Sequence, residues 1–399
     1  SETVTVCMKF KSGDEKNLFG KANLQPVAAA MLTRGTKTMT RSEIEDRMTE
    51  LKMAGSITNF TTTRKNLPAA LELVFDAMHN SIMPQDEFDQ FKKQMQVMIE
   101  SMRDKPDALA QNAITQHFNT YPKGDPRYEY SLDESLEQLN KLTVDQVRAF
   151  YKEFGGTSRG EISIVGDFDP KAVEKIIRDD YAKYVSKAHY APVVTEYRPV
   201  KATRVVIDTP DKENAIIVAR SVFPINDTAP DAPALTVANW ILGGGTGLSN
   251  RLIERLRQKE GLSYGAGSHV RIPAKGDNGS FVFRAIVAPQ NMLQAEASAR
   301  DVIAKAIKDG FTDQEVEEAK KGLLQAMQVA RSQDDVVARS WNDKMENQRT
   351  WAFSKKQAEA ISKLTTADVN AALRKYIKPD EITFVLAGDQ KKAAQKKQE

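Results

Sequence analysis

The sequence LTVDQV at residues 142–147 returns as LTTADV at residues 364–369, and this repeat decides how the chain is organised. A second pair, IVGD at 164–167 and LAGD at 386–389, keeps the same offset of 222 residues (364 less 142, 386 less 164), so no insertion separates the two matches. Each copy reads as a helix capped by threonine, a short turn and an apolar strand that ends in Gly-Asp. The repeat predicts two similar domains.

A proline-containing stretch, residues 191–199, lies between the two copies. It has no helical periodicity, and prolines resist helix formation in its interior. We therefore predict a first domain over residues 1–190, a linker over 191–199 and a second domain over 200–399. A chain of 399 residues is longer than one ordinary hydrophobic core requires, which agrees with this division.

Strands and helices are grouped apart from each other within each half. Alternating strands come first, at residues 3–10 and 203–207. Long helical patterns follow, at residues 40–52, 67–80 and 86–102 in the first half. This grouping predicts an α+β fold of two homologous domains, each a mostly antiparallel sheet with helices packed on one face.

Composition excludes several classes of protein. Hydrophobic residues make up 41% and charged residues 28%, as in ordinary globular proteins. The net charge of +3 is a small difference between 57 basic and 54 acidic residues, so we expect no nucleic-acid partner. No apolar run approaches membrane-spanning length, and we expect no membrane partner. The single cysteine, Cys7, excludes a disulfide within the chain.

The segment RQKEGLSY places Arg257 and Tyr264 seven residues apart across a predicted helix end. The preceding helix has an apolar stripe at helical spacing: Leu248, Leu252, Ile253 and Leu256. Ser249 can cap the start of that helix. Gly261 suits the left-handed conformation that follows a helix, and a strand should start near Leu262. Arg257 and Tyr264 could then converge on one point.

Guanidinium and phenol groups both donate hydrogen bonds, and neither is a base or a nucleophile. Aimed at a carbonyl oxygen that gains negative charge, each well-placed donor stabilises the transition state by roughly 3 kcal/mol. The structural alternative makes Arg257 a solvated cation at a helix end and Tyr264 a half-buried strand residue. The histidines offer no metal site, because they are scattered singly: His79, His117, His189 and His269.

The chain resembles one half of a pitrilysin- or insulinase-type (M16) zinc peptidase over nearly its full length. The resemblance rests on Gly-Thr at residues 35–36, YPKGDP at 121–126, LGGG at 242–245 and above all Arg257 with Tyr264. It implies two related α+β domains. It also implies that the arginine and the tyrosine come from the half without metal and reach across a closed chamber to a peptide.

The resemblance places the zinc motif His-x-x-Glu-His at residues 26–30, which read PVAAA in this chain. Both histidine ligands and the glutamate that activates water are therefore replaced. A further glutamate ligand falls near Glu100, which without its partners reads as a surface charge. We expect no cofactor and no metal in this chain, with zinc held by the partner half.

The resemblance predicts the non-zinc half or subunit of a zinc endopeptidase, inactive alone, that degrades peptides in an enclosed chamber. Arg257 and Tyr264 would bind substrate, and the partners would be a catalytic zinc-binding half and a peptide. The alternative is a non-catalytic structural or assembly subunit that keeps the peptidase fold. Resemblance to bacterial members predicts a periplasmic location, with cytoplasmic or organellar locations as alternatives.

Overall fold

The structure, a computed structural model, describes residues 2–245 and 250–395 of the chain. It is 52% helical and 17% strand, with the strands in two separate sheets. The predicted α+β class is confirmed. No helix in the described parts of the chain is long and apolar enough to cross a membrane.

The first sheet has four strands in the order β2-β3-β1-β4, and all of its pairs are antiparallel. Its strands are β1 (Thr3–Phe10), β2 (Ala54–Ser56), β3 (Asn59–Thr63) and β4 (Gly160–Val165). The helices of this half are α1 (Leu24–Met31), α2 (Arg41–Glu50), α3 (Leu67–His79), α4 (Gln85–Met102), α5 (Pro106–His117), α6 (Leu132–Lys141), α7 (Val144–Phe154) and α8 (Pro170–Ile176), the last extended by a π-helical turn, Ile177–Tyr181.

The second sheet has five strands in the order β5-β9-β6-β8-β7, and only the pair β5-β9 is parallel. Its strands are β5 (Arg204–Asp208), β6 (Ala215–Pro224), β7 (Ser263–Arg271), β8 (Asn278–Val287) and β9 (Thr383–Gly388). The helices are α9 (Ala232–Asn239), α10 (Arg251–Ile253), α11 (Met292–Asp309), α12 (Asp313–Ala330), α13 (Asp334–Glu346), α14 (Trp351–Lys363), α15 (Thr366–Tyr376) and α16 (Gln390–Gln395). Trp240–Gly244 and Glu254–Lys259 continue α9 and α10 as π-helix, and Pro289–Asn291 and Pro379–Glu381 form 3₁₀ turns.

The sequence repeat reappears as matching elements. Thr143 and Thr365 both cap their helices, α7 and α15, through hydrogen bonds with the third helical residue in each direction. The predicted threonine caps are therefore confirmed. Helices α4 and α12 have the same length of 18 residues and start at 85 and 313, and α5 and α13 start at 106 and 334, so both pairs keep one offset.

Helices α5 and α13 each cover the sheet of the other half. Ala110 and Ile114 of α5 are buried against Ile216 and Val218 of β6 and against β9. Helix α13 packs on β1 and β4. Each sheet thus has the helices of its own half on one face and a helix from the other half on the opposite face. The prediction of helices on one face holds only for helices of the same half.

The predicted linker, residues 191–199, contains no helix or strand and lies against the YPKGDP motif. The ring of Tyr121 is stacked between two guanidinium groups, with Arg127 at 4.1 Å and Arg198 at 4.0 Å from its centroid. Arg127 also donates to the backbone oxygen of Val194 at 2.9 Å. The motif therefore binds the linker to the first half, and the exact domain boundaries stay predictions.

Candidate functional site

The helix that carries Arg257 starts as α10, and its cap differs from the predicted one. The side chain of Asn250 accepts a hydrogen bond from the backbone N–H of Ile253 at 2.9 Å, so Asn250 is the cap. Ser249, the predicted cap, and Leu248, the first residue of the predicted stripe, lie outside the described residues. Serine and asparagine are equally good caps, which is why the sequence alone did not distinguish the two neighbours.

A closed turn joins this helix to β7. Gly261 has a φ of 61°, the left-handed conformation that ordinary side chains disfavour. The N–H of Leu262 donates to the carbonyl oxygen of Leu256 at 2.8 Å, and both leucines are buried in the core of the second half. This is the hydrogen bond of a helix end closed by a glycine. The predicted stop at Gly261 is confirmed, and β7 begins at Ser263.

Tyr264 lies in a β-bulge of the edge strand β7. Ser263 pairs with Val287 of β8, and pairing resumes with Gly265 opposite Ile286, so Tyr264 is the extra residue. The hydroxyl of Ser263 accepts from the N–H of Gly265 at 3.0 Å and lies 2.7 Å from its carbonyl oxygen. Bulges bend a strand and redirect a side chain. Tyr264 is 65% exposed as a result.

Sequence reasoning missed the bulge and the two residues that hold it. The sequence pattern predicts only a strand that starts near Leu262, with no irregularity at Ser263 or Gly265. A glycine inside a strand pattern often marks a bulge, and this signal was present in the sequence SYGAG at residues 263–267. The consequence for the site is that the position of Tyr264 depends on its two neighbours.

Arg257 and Tyr264 are both exposed, and neither side chain makes a hydrogen bond or an ion pair with the parts of the chain that the structure describes. Other cations on the same helix are paired: Arg255 forms an ion pair with Glu260, and Lys259 is also paired with a glutamate. The guanidinium of Arg257 and the phenol of Tyr264 are therefore unused donors at the two ends of one closed turn. Their functional roles stay predictions.

The glycines of the LGGG motif allow the end of α9 to approach β7 closely. A Cβ atom on Gly243 would lie 2.7 Å from the backbone nitrogen of Ser268. The buried amide of Asn239 accepts a hydrogen bond from the hydroxyl of Ser268 at 2.8 Å and donates to its carbonyl oxygen at 3.4 Å. This contact supports the strand that carries Tyr264.

Residues 26–30, the predicted position of the lost zinc motif, lie in α1. Pro26, Val27 and Ala30 line a groove of about 560 Å³ whose walls are largely apolar. The other apolar side chains that line it are Ala22, Phe91, Met95, Ile99, Pro126, Tyr128, Tyr130, Leu139 and Leu142. Aliphatic and proline side chains have no atom that can bind a metal, so these positions do not fit zinc.

Glu100 is exposed and forms an ion pair with Arg103 at 3.3 Å, which agrees with its reading as a surface charge. The histidines contact different groups: His79 stacks on a phenylalanine ring, and His117 contacts a backbone carbonyl. His189 contacts the carboxylate of another loop. Among the described residues, no group of three or more His, Cys, Asp or Glu side chains could hold a metal ion.

Comparison with known families identifies a domain in this chain. Residues 141–323 match the family model described as the peptidase M16 inactive domain. A structure of a peptidase M16 inactive domain from Pseudomonas fluorescens superposes with a TM-score of 0.81, at 21% identity over 97% of this chain and 92% of that chain. A structure of a protease from Helicobacter pylori superposes with a TM-score of 0.80, at 18% identity over 97% of this chain and 94% of that chain.

Curated relatives match a smaller part of this chain than the two structures do. An uncharacterized zinc protease of Mycobacterium tuberculosis is 24% identical over 299 residues, which are 72% of this chain and 66% of the relative. The non-peptidase homolog YmxG of Helicobacter pylori is 20% identical over 256 residues, 64% of this chain and 58% of the relative. The chain therefore spans less than two thirds of the length of these relatives.

The two sheets define the class as an α+β fold, and residues 26–30, where the resemblance places a zinc motif, line an apolar groove. Residues 141–323 of the chain match the inactive domain of the peptidase M16 family. The resemblance that the sequence indicated is thereby confirmed, both in family and in fold.

Proposed function

We propose that this chain is the non-zinc half or subunit of a zinc endopeptidase, and that Arg257 and Tyr264 bind the substrate backbone beside the scissile carbonyl. The observation that carries the proposal is the pair of unused donors on one closed turn, with the tyrosine directed outward by a bulge. A purely structural arginine or tyrosine does not need this arrangement.

The chemistry of the two side chains limits what they do. Each can donate a hydrogen bond to a carbonyl oxygen as negative charge develops on it, which is worth roughly 3 kcal/mol of transition-state stabilisation for each donor. Neither activates water, and the apolar residues 26–30 do not fit a metal. In this proposal the partner half holds the zinc and supplies the activated water, and this chain alone is inactive.

The substrate in this proposal is a peptide or an unfolded segment. An extended chain binds readily by lying along a sheet edge, and β7 is an edge strand that begins at Ser263, next to Tyr264. Enclosure between two halves would exclude folded proteins. A periplasmic location is part of the same proposal and rests on the family resemblance alone.

The test combines a purified zinc-binding half with this chain and measures peptide turnover. Arg257→Ala and Tyr264→Phe should each lower kcat by about 10²-fold or more, the usual effect of removing one such donor. Lys259→Met is the matched control, because it removes a paired cation from the same helix. The proposal is wrong if both variants, mixed with the zinc-binding half, turn over peptide as fast as the unmodified chain does. Gel filtration verifies that each variant associates with that half.

A structural or assembly subunit is the second candidate. One observation favours it: the similar protein YmxG of Helicobacter pylori is described as a non-peptidase homolog. In that case Arg257 and Tyr264 serve no purpose and the groove at α1 faces another subunit. Gel filtration together with peptidase assays of the chain alone and with its partner separates the candidates, because only the first predicts activity that appears on mixing.

A further inference from the structure

The face of the second sheet that lies opposite its own helices carries both apolar and charged side chains. On β6, Ile216 and Val218 pack against α5, and the next residue on the same face is Arg220. Arg220 pairs with Val282 of β8, which in turn pairs with His269 of β7. Paired residues of antiparallel strands point to the same side, so these three residues share one face.

Arg220 is a partly buried cation without an anion. Its Nε atom is buried and has no hydrogen-bond partner, and no ion pair reaches the guanidinium from the residues that the structure describes. Its contact is the ring of Phe118, 4.8 Å from the centroid. Burial lowers the pKa of Arg220, the positive charge of Arg271 lowers it further, and Glu129 opposes both effects from beyond ion-pair distance. A charge removed from water without a partner is strongly unfavourable.

Arg271 adds a second unpaired guanidinium to this face. It is the last residue of β7, two positions after His269, and is exposed. Its side chain makes no ion pair or hydrogen bond with the described part of the chain. A third arginine on the face, Arg284, differs because Asp107 of α5 binds it at 2.7 Å. One arginine of the three thus has a carboxylate, and the other two lack one.

On this face, β7 is open where it leaves the bulge. Gly265 and Gly267 lie on this face and have no side chains, and a Cβ atom on Gly267 would lie 3.2 Å from the carbonyl oxygen of Gly243. A Cβ atom on Gly265 would meet nothing within 4 Å. From Tyr264 to Arg271 the strand covers about 23 Å at roughly 3.3 Å per residue. An extended peptide of about seven residues would span the same distance.

We propose that Arg220 and Arg271 bind a carboxylate of a peptide that lies along β7 from Tyr264. The proposal rests on the proposed function and names its substrate class: peptides with a carboxylate about seven residues from the bond held at Tyr264. A C-terminal carboxyl group and an acidic side chain carry the same chemistry. Guanidinium groups recognise both because their paired N–H donors match the two oxygens.

The test measures binding of fluorescent peptides to the full chain by anisotropy. Four versions of one peptide combine a free C-terminal acid or an amide with an internal Glu or Gln. The unmodified chain should bind at least one carboxylate version about tenfold more tightly than the Gln-amide version, the usual gain from hydrogen bonds to a charged group. The peptide version that binds more tightly shows whether the C-terminal carboxyl group or the acidic side chain is recognised.

Arg220→Met and Arg271→Met should each abolish this preference and leave the affinity for the Gln-amide peptide unchanged. Arg47→Met is the control, because it removes an exposed, ion-paired arginine from α2. No carboxylate preference in the unmodified chain, or a preference retained in both variants, overturns the proposal. Folding of each variant is verified by circular dichroism, and Arg220→Lys, which keeps the charge, should retain part of the preference.

The outcome is independent of the catalytic test. Binding is measured on this chain alone and needs no turnover. If Arg257→Ala and Tyr264→Phe leave turnover unchanged while the carboxylate preference depends on Arg220, the proposed function fails and the carboxylate site stands. If those two variants lose turnover while no carboxylate preference exists, only the site is wrong.

Discussion

Asn342 of α13 donates a hydrogen bond to the backbone oxygen of Cys7 in β1 at 2.9 Å, and so joins the two halves of the chain. Its side-chain oxygen accepts from the hydroxyl of Ser163 in β4. All three residues are buried. The exchange of α5 and α13 between the halves is therefore held by a satisfied polar network on one side and by an apolar contact on the other. Polar contacts of this kind require one specific position of the helix.

Asn342→Ala should lower the free energy of unfolding by about 1–3 kcal/mol, because it leaves the buried hydroxyl of Ser163 without this partner and removes a hydrogen bond to the carbonyl of Cys7. Urea denaturation at neutral pH measures the change. Gln333→Ala on the same helix is the control, since Gln333 is exposed and its side chain makes no capping bond. Equal unfolding midpoints for the two variants would show that the network contributes nothing.

Ser263→Ala should reduce peptide turnover of the assembled enzyme, because the hydroxyl holds the bulge that directs Tyr264. The loss of stability should be small, about 1 kcal/mol for the lost hydrogen bonds. A double-mutant cycle with Tyr264→Phe provides the measurement. If Ser263 acts by positioning the phenol, its replacement has little further effect once the phenol oxygen is gone. Fully additive losses would contradict that role.

Gly243→Ala should destabilise the second half by about 1–3 kcal/mol, the usual effect of forcing a methyl group into a packed contact. The new Cβ would lie 2.7 Å from the backbone nitrogen of Ser268. Thermal unfolding compares it with Gly265→Ala, whose Cβ would meet nothing within 4 Å and should change the midpoint little. The same midpoint for both alanines would mean that the close approach of α9 to β7 is not needed.

Stability should fall in acid partly through Asp125. Hydrogen bonds from the Arg127 side chain hold the pKa of Asp125 below its ordinary value. The contribution of this ion pair is therefore present above the pKa of the unfolded chain, about 3.9, and is lost as the pH falls through the lower pKa of the folded protein. Unfolding free energies between pH 7 and pH 3 should fall less in Asp125→Asn than in the unmodified chain. Parallel curves would exclude this contribution.

Much of the fold could be predicted because local signals carried it. Thr143 and Thr365 predicted the starts of two matching helices, and Gly261 predicted the end of a third helix. Capping and left-handed turns depend on residues three or four positions apart, so a single sequence contains the necessary information. The cap at Asn250 was misplaced by one residue for the same reason, since two adjacent residues both have capping side chains.

The candidate site was predicted only in part. Arg257 and Tyr264 were predicted from their spacing and from the family resemblance, whereas the bulge at Tyr264 and the open position at Gly265 were not. Arg220 was not predicted as a site residue, because a single arginine in an apolar strand carries no functional signal in the sequence. Arg220 became a candidate because no carboxylate pairs with it among the described residues, and only the arrangement of neighbouring strands shows this.

The sequence by itself determined the two-part organisation, the threonine caps, the glycine-closed turn and the absence of metal-binding side chains at residues 26–30. Each of these depends on the identity of a residue or on spacing within one or two turns. Tertiary structure alone decided which sheet α5 and α13 cover and which guanidinium groups stay without a partner. An apolar helix face has the same pattern whatever sheet it meets, and a charge is paired or unpaired only through residues that are distant in the chain.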